Sequence, residues 1–78
     1  LPESEAETLE VVVQQETPAA GRSIEALELP AEAALVGAVV RGDQMLTPEP
    51  DRVLAVGDHV ILLALPRAIP AVERLFGL

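Results

Sequence analysis

Apolar and polar residues alternate along this chain in short blocks, and the rhythm changes from block to block. In Leu9 to Gln14, Leu9, Val11 and Val13 fall on one side and Glu10 and Gln14 on the other, a period of two that predicts a strand. Thr17-Pro18 and Gly21 then break the pattern, and Ser23 to Leu27 reads as a short helix. Ser23 is placed to cap it, and Ile24 and Leu27 share its buried side. Leu29-Pro30 ends it, because proline disfavours helical geometry in the residue before it.

Ala34 to Arg41 predicts a second strand with apolar residues on both faces, as in a central or interface strand. Simple alternation projects Val36, Ala38 and Val40 from the face opposite Leu35, Gly37 and Val39. Gly42-Asp43 turns the chain into a short third strand, Gln44 to Thr47. Pro48, Pro50 and Asp51 interrupt again, and Val53 and Leu54 are expected to plug the core from an irregular segment. After Gly57-Asp58 comes the clearest strand, His59 to Leu65. In Ala68 to Phe76 the rhythm switches to helical spacing, with Ile69, Val72, Leu75 and Phe76 on one face. Pro70 fits the first turn of that helix and Gly77 its C-terminal cap. The predicted fold is therefore α+β, a two-layer domain with a mainly antiparallel sheet and the order β-α-β-β-β-α. Residues 1–8 are acidic without an apolar rhythm and read as a linker or disordered end, leaving 9–78 as the one ordered domain. A chain that begins at Leu1 reads as a piece of a longer protein.

Composition sharpens this picture. Half of the 78 residues are hydrophobic, yet Phe76 is the one aromatic, so the core is built of aliphatic side chains. A sheet with one helical layer buries one face, and the apolar surplus asks for a second cover. A symmetry mate is the common one, which makes Val36, Ala38 and Val40 candidates for a homodimer interface. Folding alone, a chain this short buries only about 60% of its unfolded surface, and without cysteine no disulfide compensates. The formal net charge of −8 opposes binding to nucleic acid or to an anionic lipid surface. The longest apolar run, Val60 to Leu65, is far short of the roughly 20 residues that insert across a bilayer.

Candidate chemistry is sparse. His59 is the one histidine and lacks a Ser or Cys partner, so no catalytic residue is assigned and the chain is not read as an enzyme. Asp43, Glu49, Asp51 and Asp58 fall in turns, where short carboxylates bond nearby backbone N–H groups, and no metal site is assigned. No glycine-rich phosphate loop is present. Arg41 could hold a ligand phosphate or carboxylate in its planar fork, or make an ion pair.

Taken in order, the punctuation forms a pattern. Gly21 to Pro30 reads G-R-S-I-E-A-L-E-L-P, a strand then ends in Arg41, Pro48 follows, Asp51 to Leu62 reads D-R-V-L-A-V-G-D-H-V-I-L, and the chain closes on Leu75-Phe76-Gly77. This succession resembles the TrkA C-terminal (RCK C-terminal) regulatory domain family over nearly the whole ordered part. The resemblance implies a cytoplasmic domain that senses ligands and dimerises, at the cytosolic side of a potassium channel, uptake system or cation/proton antiporter, with a membrane-embedded transport subunit or domain as partner. It also implies a small effector at the dimer cleft, such as a cyclic dinucleotide (cyclic di-AMP in some members) or a divalent cation. The residues expected near that cleft are Val40, Arg41, Met45 and Pro48. Two other readings stay open: a purely structural dimerisation module, and a small β-domain that binds an anion or oxyanion.

Overall fold

The computed structural model describes residues 5–78. Four strands form one sheet: β1 (Glu7–Val12), β2 (Ala34–Arg41), β3 (Gln44–Leu46) and β4 (His59–Ala64), in the spatial order β1-β4-β2-β3. Every neighbouring pair is antiparallel. The first connection contains a 3-10 turn (Glu25–Leu27), and after β4 a second 3-10 turn (Pro66–Ala68) runs into the helix α1 (Ile69–Phe76). β1 begins at Glu7, earlier than the sequence pattern indicates, because Glu7 and Thr8 pair with Ala64 and Leu63 of β4. The expected linker over 1–4 lies outside the described residues.

The core occupies one side of the sheet. Leu9 stands opposite Leu62, Val11 opposite Val60, Val36 opposite Leu62 and Val39 opposite Val60, so their side chains share the inner face. Val72 and Phe76 of α1 close over this face, and both are fully buried. Pro70 sits in the first turn of α1, where its missing N–H costs no hydrogen bond. Gly77 ends the helix in the left-handed conformation (φ +71°), with its N–H bonded to the Glu73 carbonyl. A Cβ on Gly77 would also lie 3.0 Å from the Thr17 methyl, so glycine is required twice over.

Loops complete the inner layer where the short helix does not reach. Residues 21–25 and 50–54 are stitched together backbone to backbone: Gly21 N–H to Leu54 O at 2.9 Å, Leu54 N–H to Arg22 O at 2.8 Å, and Ile24 N–H to Arg52 O at 2.9 Å. Leu27 and Leu54 drop into the core from this stitched pair, and the Ser23 hydroxyl accepts the Ala26 N–H at 3.1 Å as the short-turn cap. Val53 does not plug the core. In an extended segment successive side chains point to opposite sides, so burying Leu54 turns Val53 out to solvent, 53% exposed.

A second departure from simple alternation lies in β2. The register shifts between Val36 and Ala38, a β-bulge at Gly37 that sets one extra residue against β4. Beyond the bulge the faces exchange. Val36 and Val39 both point inward, while Leu35, Ala38 and Val40 point outward. Val36 is 8% exposed in the core and does not belong with Ala38 and Val40.

Past the bulge, Arg41 also points to the inner side and reaches the turn before β4. Its Nε and Nη2 donate to the two carboxylate oxygens of Asp58, both at 2.8 Å, and Nη2 also donates to the Val53 carbonyl at 2.9 Å. Asp58 Oδ2 accepts the Ala55 N–H at 2.8 Å as well. The bonds from Arg41 hold the Asp58 carboxyl below the usual carboxylate range although burial opposes this, and the Ala55 N–H adds to the effect. The same bonds raise the pKa of the Arg41 guanidinium. A carboxylate this deeply buried is retained because each oxygen is bonded.

Two outcomes follow for stability. Leu54→Ala is expected to lower the unfolding free energy by about 2–5 kcal/mol and Val53→Ala by less than about 0.5 kcal/mol, read from urea titrations at one protein concentration. Because the Asp58 pKa is lowered on folding, its contribution is present above about pH 4 and is lost as pH falls through the folded-state value. Asp58→Asn should therefore cost about 2 kcal/mol at neutral pH, less than for a fully buried pair because Arg41 is half-exposed, and the gap to the parent should close below about pH 4.

Candidate effector groove and exposed sheet face

The outer face of the sheet is the chemically distinctive surface. Along β4 the outward positions are His59, Ile61 and Leu63, and along β2 they are Leu35, Ala38 and Val40. Met45 of β3 pairs with Val40. These side chains are aliphatic apart from His59, and no element of the described chain covers them. Met45 is 73% exposed, Leu35 55% and Leu63 43%. These positions form a contiguous apolar patch on the sheet.

Two shallow depressions flank this face. One, of about 320 Å³, is lined by Gly37, Ala38, Met45, Leu46, Thr47 and Pro48. It owes its shape to the bulge at Gly37 and to Pro48, which turns the chain away just after β3. The other, of about 400 Å³, lies at the opposite end of β2 and β4, where Leu35 stands opposite Leu63.

Of the residues expected near a cleft, Met45 and Pro48 line the first depression together, and Val40 adjoins them as the cross-strand partner of Met45. Arg41 is not among the lining residues. It sits on the other face of β2, and its Nε and Nη2 are committed to Asp58 and Val53. The ion-pair alternative is the one realised, and Arg41 anchors the end of β2 to the segment that leads into β4.

The sequence reading did not single out the exposed Leu35 and Leu63 or the half-buried Ile61 on the outer face, and it missed the partner of His59. The His59 Nδ1 and Glu10 Oε2 lie 2.9 Å apart, diagonally across β1 and β4, both on the outer face. The alternation in β4 carried a signal for Ile61 and Leu63, since Val60, Leu62 and Ala64 take the inner side. Glu10 and His59 are far apart in sequence, and only the strand register brings them together. Among the described residues no group of three His, Cys, Asp or Glu side chains is placed to hold a metal ion, and no helix is long and apolar enough to cross a membrane.

Comparison with known proteins agrees with this geometry. The TrkA potassium uptake protein of Halomonas elongata is 41% identical over 75 residues, a match that covers 91% of this chain and 16% of that protein. The chain spans between 15% and 32% of the length of the curated relatives it matches. Among solved structures, the RCK C domain of the potassium transport protein KtrA in complex with cyclic di-AMP superposes with a TM-score of 0.71 at 25% identity, over 88% of this chain and 81% of that one. The dimer of RCK C domains of S. agalactiae BusR, also with cyclic di-AMP, gives a TM-score of 0.73 at 21% identity, over 90% and 95%. BusR has also been solved with promoter DNA. The two-layer α+β architecture is thus shared. The TrkA-C family model itself matches residues 8–77, and the chain belongs to the TrkA-C domain family.

Proposed function

We propose that this domain is a cytosolic regulatory module of a potassium or other cation transport protein, that two copies associate through the exposed sheet face, and that a small effector seats in the groove beside Val40, Met45 and Pro48. The observation that carries the reading is the uncovered aliphatic face with that groove at its border. Ala38 and Val40 contribute to the contact, and Leu35 takes the place that alternation gave to Val36. An effector that bridges two copies favours one arrangement of the pair over another, and through it one state of a membrane-embedded transport subunit.

Cyclic di-AMP is the probe of choice, since the KtrA and BusR domains of the same fold are solved with it. The groove offers apolar walls for a purine face. Arg41, locked to Asp58, is a positioning residue that holds the end of β2 in place. The reading assigns a binding role and names no catalytic residue. DNA contact of the kind BusR makes is not assigned to this domain, because a net charge of −8 opposes the long run of phosphates along a duplex.

Leu63→Glu should raise the dimer dissociation constant at least about a hundredfold in light scattering, because symmetry buries the introduced charge twice. In calorimetry the parent should bind one cyclic di-AMP per dimer, and Met45→Glu should abolish this. A stable dimer indifferent to cyclic di-AMP, other nucleotides and divalent cations would favour the purely structural module. A monomer at micromolar concentration would overturn the reading.

A further inference from the structure

Among the outward positions of the four strands, Glu10 and His59 are the two ionisable groups, and they are bonded to each other at 2.9 Å. Everything else that projects from this face is aliphatic apart from Thr8. On a chain of net charge −8, this is the surface on which a second copy meets the least repulsion. We infer that the Glu10–His59 pair makes self-association of this domain proton-dependent, tightening as pH falls through the range in which an imidazole takes up a proton. The inference rests on the exposed face being the dimer contact.

The argument compares two states of one pair. In the free subunit both side chains are about half-exposed, at 48% and 60%, and water solvates Glu10 whether or not His59 is protonated. When two such faces close, that water leaves. Imidazolium and carboxylate then form a neutral, hydrogen-bonded unit that an apolar contact tolerates. Neutral imidazole leaves a lone carboxylate in the same place, and a buried unpaired charge is strongly unfavourable. Association therefore takes up protons. The extra affinity is present at low pH and is lost as pH rises and the imidazole deprotonates.

Among the described residues, the strand register sets the following groups around His59. β1 supplies Glu10. β2 places Val40 opposite His59, and the next residue, Arg41, turns to the other face, where it holds Asp58. β3 adds Met45 and Gln44 without charge, and Asp43 sits in the turn between β2 and β3. The second copy brings the same face, and with it the same pair.

Sedimentation equilibrium at fixed ionic strength, between about pH 5.5 and about pH 8, tests this on the parent, His59→Gln and Glu10→Gln. The parent dissociation constant should rise at least about tenfold across the range. His59→Gln should bind more weakly than the parent at the acidic end of the range and lose most of the pH dependence, because no imidazolium is left to pair with Glu10. Glu10→Gln should reverse the slope, since the imidazolium is then the unpaired charge. A parent profile that matches His59→Gln while the dimer persists would overturn the inference and leave the dimer reading standing. Absence of a dimer at every pH would overturn both.

Discussion

One constraint organises this domain: the described residues cover one face of the sheet and leave the other open. α1 has eight residues, and with Phe76 and Val72 it closes over the middle of the inner face. The rest of that face is closed by loops, with Leu27 and Leu54 as their apolar plugs. Among the described residues no element covers the outer side, whose strands carry Leu35, Ile61, Leu63, Val40 and Met45. Covering such a surface removes apolar area from water at roughly 25 cal/mol per Å², so a small domain gains from a partner what its own length cannot supply.

Loops that serve as a core layer must be rigid, and backbone bonding and one ion pair hold them in this cysteine-free chain. The backbone bonds between residues 21–25 and 50–54 make two connections behave as an extra pair of strands. Arg41 then fastens this layer to the sheet through Asp58 and the Val53 carbonyl. Arg41 follows Val40 directly, so one end of β2 carries an outward apolar side chain and, on the next residue, the inward clamp to Asp58.

Much of the architecture was legible in the sequence. The strands were marked by period-two patterning, the turns by Gly21, Gly42 and Gly57, and the ends of α1 by Pro70 and Gly77, because each of these residues restricts the backbone locally. Features that depend on register were less so. The bulge inverted the facing of β2 beyond Gly37 and moved Val36 into the core, although an isolated glycine in a strand is itself a bulge signal. Val53 and Leu54 were both read as core because their pairing with Ser23 and Arg22 is not local. Met45 and Pro48, named together from the sequence, line one depression, whereas Arg41 turns to the other face, because the fork chemistry that suits a phosphate equally suits Asp58. The Glu10–His59 contact joins the first and last strands and has no local signature.

The central claim is that a second copy covers the outer face. Methyl-labelled NMR spectra followed through a dilution series test it most directly. The account predicts concentration-dependent shifts at the methyls of Leu35, Met45, Ile61 and Leu63, while Leu54, Val72 and Val39 on the inner side stay fixed. Spectra that do not change with concentration, or changes confined to the exposed side of α1, would contradict it.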